Sequence, residues 1–76
     1  MNRLPAVDMT ATGANILQLR RRRDLTVRDL QAVFGFSTPQ AIYNWQRGRD
    51  LPSVDNLVVL SAVLGVTMDE IVIRSK

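Results

Sequence analysis

Between Thr38 and Gly48 the chain reads TPQAIYNWQRG, and four of its side chains could do recognition chemistry. Gln40, Tyr43, Asn44 and Arg47 recur at the three- and four-residue spacing that shares one face of a helix. Gln and Asn each carry an acceptor oxygen beside an NH2 donor, the pair that matches the N6/N7 edge of adenine in the major groove. Arg adds a planar fork for phosphate or guanine. Lys and Glu would solvate such a face equally well, so the amides need a reason. Readout of a base edge is one. Mere hydration competes with it at any single residue, and poorly for the group.

That face must be held in place. Thr38 reads as a helix N-cap, Pro39 as the first helical position and Gly48 as the stop. Ala41, Ile42 and Trp45 fall on the opposite side, which makes Trp45 a core residue rather than an intercalating one. Upstream, a helix runs from Thr10 or Thr12 to Arg23, with Ile16 and Leu19 on one face. Thr26 to Asp29 resembles a capping box that opens a second helix, whose Leu30, Val33 and Phe34 turn inward before Gly35. Downstream, Ser53 caps a fourth helix carrying Val54, Leu57, Leu60 and Leu64, ended by Gly65. Thr67, with Asp69 and Glu70 in the following turn, caps a short fifth. Residues 1–9 contain Pro5 and no period, so they read as an N-terminal arm without regular structure, and residues 10–76 as one domain. The expected class is all-α.

The chain has 76 residues, room for a modest core. It contains no Cys and no His, which removes disulfides and thiolate or imidazole metal sites, and no metal or cofactor is expected. Without a credible nucleophile and base or a Gly-rich phosphate loop, catalysis is not expected either, nor is a small-molecule ligand. No apolar run reaches the ~20 residues of a membrane span, and no signal-peptide pattern opens the chain, so the expected setting is the cytoplasm. Charge is divided. Residues 1–49 hold eight Arg against Asp8, Asp24 and Asp29, a net +5; residues 50–76 hold Arg74 and Lys76 against Asp50, Asp55, Asp69 and Glu70, a net −2. A basic half rich in Arg points to nucleic acid, the competing reading being a solvated face with no partner.

Two short helices joined by a Gly-containing turn within a basic helical domain form a helix-turn-helix. The stretches LQLRRRRDLTVRDL, FGFSTPQAIYNWQRGRDLPS and LSAVLGVTMDEI, across roughly residues 12–73, resemble the phage Cro and cI repressors and the bacterial XRE-type regulators. The resemblance implies a compact five-helix bundle of the lambda-repressor-like type, its third helix in the major groove of double-stranded DNA, in a bacterial or phage-type repressor-like regulator. It assigns base contacts to Pro39, Gln40 and Asn44, with Tyr43 reaching a base or a phosphate. It assigns phosphate contacts to Arg28, Thr38, Arg47, Arg49, Ser53 and Asn56. Arg20 matches a structural family arginine, while Arg21 to Arg23 read as a solvated face. The same fold could instead serve as a protein-interaction module, such as an antitoxin or a partner-binding subunit.

Departures from the family pattern carry expectations of their own. The family's first-helix Arg usually pairs with a Glu after the third-helix aromatic; here Gln46 stands there, so Arg20 keeps a hydrogen bond at most. The usual small residue of the second helix is Gln31, and the turn is one residue longer, leaving turn backbone for Gln31 to bond. Val27 replaces a Gln that often touches DNA. On the fourth helix Val59 and Ala62 occupy positions usually polar. With Val66, Val72 and Ile73 they suggest an apolar face for a two-fold homodimer on a palindromic operator, unless the arm or the tail covers it.

Overall fold

A computed structural model describes residues 4–75. Five helices follow one another: α1 (Met9–Arg22), α2 (Val27–Phe34), α3 (Gln40–Gln46), α4 (Val54–Leu64) and α5 (Met68–Ile71). The all-α expectation holds, with one addition. β1 (Ala6–Val7) pairs antiparallel with β2 (Arg74–Ser75), Ala6 opposite Ser75 and Val7 opposite Arg74. The expected arm is therefore partly ordered, and its first three residues lie outside the described ones. Helix α1 starts earlier than Thr10 because Asp8 caps it, accepting from the Ala11 N–H at 2.9 Å.

The capping box at Thr26 is present in both directions. The Asp29 N–H donates to the Thr26 hydroxyl at 3.0 Å and the Thr26 N–H to the Asp29 carboxylate at 2.8 Å. Donation from the Thr26 backbone, and then from its hydroxyl, holds the Asp29 carboxyl below the usual range. That contribution to folding is present at neutral pH and lost as pH falls through the depressed value. Helices α4 and α5 are capped by Ser53 and Thr67 as read. Helix α3 differs by one residue. The Pro39 carbonyl accepts the first intrahelical bond, from the Tyr43 N–H at 3.1 Å, so Pro39 is the cap and Thr38 precedes it.

The core joins Ile16 and Leu19 of α1, Leu30 of α2, Ile42 and Trp45 of α3, Leu60 and Leu64 of α4 and Ile71 of α5. Phe34 and Phe36 stack at 5.1 Å and both meet Trp45 edge-on, at 5.4 and 5.9 Å. Trp45 is core, and this aromatic trio locks the turn between α2 and α3. Val33, expected to turn inward, faces out at 51% exposure, and Val54 is 71% exposed. On an eight-residue helix, Leu30 and Phe34 fill the inner face, leaving Val33 at its flank. Val54 sits in the first turn of α4, beyond the reach of the core.

Helices α1 and α3 cross at Gly13. A Cβ there would lie 2.2 Å from the Trp45 carbonyl oxygen and 2.8 Å from that of Gln46, so only hydrogen fits. Two further α1 side chains hold the end of the chain. Thr12, fully buried, accepts from the Ile73 N–H at 2.9 Å, and the Asn15 amide donates to the carbonyls of Glu70 and Ile71 at 2.7 and 3.0 Å. The last carbonyls of a helix lack intrahelical partners, and Asn15 supplies one to α5.

Candidate nucleic-acid interface

Helix α3 divides cleanly by exposure. Ile42 and Trp45 are buried and Ala41 packs against the core, while Gln40, Tyr43 and Arg47 are exposed and Asn44 is half-buried beside them. The face read from the sequence therefore exists as one surface, and the one-residue change in the helix start leaves it in place. The Arg47 guanidinium sits 5.9 Å from the centroid of the Tyr43 ring, near enough for a cation–π contact. Pro39 is half-buried at the head of this face and Thr38 exposed beside it. The Thr38 oxygen accepts a long bond from the Gln40 N–H, 3.4 Å, which leaves its O–H free to donate.

The two amides are joined to a third group. Gln40 Nε2 donates to Asn44 Oδ1 at 2.9 Å, and Asn44 Nδ2 donates to the Asp50 carboxylate at 3.1 Å. Behind the face, Arg20 Nε donates to Gln46 Oε1 at 2.9 Å and its Nη1 to the Leu25 carbonyl at 2.8 Å. The expected replacement of an ion pair by a hydrogen bond is present. So is the expected role of Gln31, whose Nε2 donates to the Phe36 carbonyl at 3.2 Å within the turn. The first contact ties α3 to α1, and the second ties α2 to the turn that leads into α3.

Cationic side chains flank the face. Arg28 is exposed near the start of α2 and borders a shallow groove with Gln31, Ala32, Gly35 and Phe36. Arg49 is exposed just past Gly48, its N–H donating to the Asn44 carbonyl at 2.9 Å. At the start of α4 the Ser53 oxygen accepts from the Asn56 N–H at 3.2 Å, leaving its O–H and the Asn56 side chain to donate outward. Asp55 in the same turn already places negative charge on that helix end, which weakens it as an anion site. Among the described residues no group of three or more His, Cys, Asp or Glu could hold a metal ion. No described helix is long and apolar enough to cross a membrane.

The helix-turn-helix family profile matches residues 16–71. This chain belongs to the helix-turn-helix family. An uncharacterized HTH-type transcriptional regulator of Sinorhizobium fredii is 40% identical to it over 60 residues, 79% of this chain and 77% of the relative. The fold also superposes on the crystal structure of the DNA-binding domain of BldD with a TM-score of 0.71, at 20% identity, covering 86% of this chain and 93% of that one. The resemblance to Cro- and cI-type regulators is thus shown at the level of family and fold.

The apolar face expected on this helix-turn-helix chain needs redrawing. Val59 and Ala62 are exposed as read, but Val66 packs against the core and Val72 is half-buried. Val72 lines an apolar cleft of about 220 Å³ with Val7, Leu51, Pro52, Val54 and Leu57. Ile73 is 37% exposed, its main chain bound to Thr12. The outward surface of α4 is instead Val54, Val58, Val59 and Ala62. Asp50 is the residue of the site that the sequence reading passed over. An acid directly after the cationic Arg47-Gly48-Arg49 loop gave no sign of this contact, which depends on how the loop folds.

Proposed function

We infer that this helix-turn-helix chain is a transcriptional regulator that binds double-stranded DNA with sequence preference, α3 lying in the major groove. The observation that carries this reading is the exposed row of Gln40, Tyr43 and Arg47 beside half-buried Asn44, on a helix whose other face is core. Gln40 and Asn44 read base edges, Pro39 offers a thymine methyl only apolar contact, and Tyr43 serves at the edge of the same patch. Arg28, Thr38, Arg47, Arg49, Ser53 and Asn56 bind phosphates and set register. Residues 10–76, with Asp8 and β1 joined to them, act as one DNA-binding unit that needs no cofactor and performs no catalysis, in the cytoplasm where its DNA is. Two copies related by a two-fold axis bind a palindromic operator.

A second reading, a module whose partner is a protein, draws on the bare valines of α4. Selection of bound sequences from a random duplex pool, at fixed and stated salt, separates the two. DNA readout yields a consensus whose affinity falls steeply with salt, and a protein-only module yields none. Gln40→Ala should then lose about 1–3 kcal/mol of preference at one base pair. Equal loss on selected and random duplexes would remove Gln40 from base reading.

A further inference from the structure

We propose that Asp50 is a positioning residue that sets the direction in which Asn44 and Gln40 present their amides, and thereby the base preference of α3. The proposal rests on α3 reading bases.

The chain reaches Asp50 through a tight turn. Gly48 has φ +73, and a Cβ on it would meet the Thr10 Cα at 2.7 Å, so the turn is pressed against the start of α1. The N–H groups of Arg49 and Asp50 then both donate to the Asn44 carbonyl, at 2.9 and 3.3 Å. Asp50 is tied to Asn44 through main chain and side chain together.

An amide can be turned over by 180° with little change in shape, exchanging its donor and acceptor. An ionised carboxylate only accepts. Asp50 therefore obliges Asn44 to turn Nδ2 toward it, which aims Asn44 Oδ1 at Gln40 and obliges Gln40 to offer Nε2 in return. Gln40 Oε1 and its second N–H remain for a base edge, in one orientation. Without the carboxylate both amides could turn over together, and a pattern reading one base would become a mixture. An exposed carboxylate directly after Arg49 also opposes binding to any polyanionic duplex. Asp50 thus favours discrimination at the expense of general affinity, and its removal should move the two in opposite directions. A residue that merely kept the turn folded would lower both.

The test measures affinity of the unmodified protein, Asp50→Ala and Asp50→Asn for the selected duplex, for single-base variants under Gln40 and Asn44, and for a random duplex, at one salt concentration. Asp50→Ala should bind the random duplex as well or better and lose about tenfold in discrimination at those base pairs. Asp50→Asn, which keeps an acceptor oxygen and drops the charge, should gain on the random duplex and keep more of the discrimination than Ala. In an Asn44→Ala background, Asp50→Ala should have little further effect on preference. Unchanged base preference in Asp50→Ala, or equal loss on selected and random duplexes, overturns the proposal while leaving base reading by α3 intact. Absence of any preference in the unmodified protein overturns base reading itself, and the proposal with it.

Discussion

Arg47 and Arg49 stand on either side of Gly48, where the chain leaves α3, and both are exposed. Arg47 leans over Tyr43, which holds its guanidinium near the reading face at small entropic cost. Among the described residues Arg49 is tied through its main chain, to Asn44. Each should act on phosphate through charge rather than through base identity. Arg47→Ala or Arg49→Ala should weaken all duplexes to a similar degree and flatten the slope of log affinity against log salt by about one ion. An unchanged slope in a salt titration would assign that Arg to solvent. At this scale the sequence was informative wherever partners were few. Arg20 with Gln46 and Gln31 with the turn were legible because a missing Glu and a longer turn each left one obvious donor or acceptor. Asp50 was not legible, because its role depends on a left-handed Gly48 folding the loop back six residues onto Asn44.

Among the elements, the position of α3 depends on its crossing with α1. Gly13 lets the two backbones approach until no Cβ fits, and Trp45 fills the space between that crossing and the Phe34–Phe36 stack. Gly13→Ala sets two effects against each other. Helix propensity favours Ala by about 1 kcal/mol, whereas overpacking against rigid backbone costs about 1–3 kcal/mol. With the obstructing atom a carbonyl oxygen at 2.2 Å, overpacking should win, and thermal unfolding should show a net loss. A stabilised Gly13→Ala variant would mean that the helices can part freely. Trp45→Ala should cost about 3–5 kcal/mol, enough to unfold much of a small domain. A variant that stays folded and loses only DNA binding would overturn the core assignment of Trp45. The starts of α2, α4 and α5 were readable because their caps are local: Thr26, Ser53 and Thr67 each bond a group three residues on. The equally local Asp8 cap of α1 was missed, and the cap of α3 fell one residue later than expected. The β1–β2 pair and the anchors Thr12 and Asn15 were not readable, because their partners lie 55 residues or more away in the chain.

For the whole molecule, the division of charge seen along the sequence carries over only in part, because Asp50 bonds Asn44 on the reading face and the Arg23 guanidinium lies beside Gly65 at the end of α4. The cationic loop and the reading face belong to α2, α3 and the turn after them, while α4 and α5 carry Asp55, Asp69 and Glu70. On α4 the residues Val54, Val58 and Val59 are 71, 51 and 37% exposed, and Ala62 is exposed with them. Among the described residues neither β1 nor β2 buries them, and Val66 and Val72, expected in the patch, are taken by the core and the cleft beneath β1. What remains is smaller than the sequence suggested and centred one turn earlier on the helix. Association of two copies through it would bury valines away from water and leave both cationic faces free. A two-fold pair would then present two α3 helices about one DNA turn, ~34 Å, apart. Sedimentation should show a concentration-dependent dimer, and Val59→Lys, which puts an unpaired charge into the contact, should raise its dissociation constant at least about tenfold, or ~1.4 kcal/mol. On DNA the same substitution should convert cooperative binding of a palindrome into independent binding of half-sites. A protein that stays monomeric at high concentration and occupies single half-sites would show that α4 presents its valines to something other than a second copy.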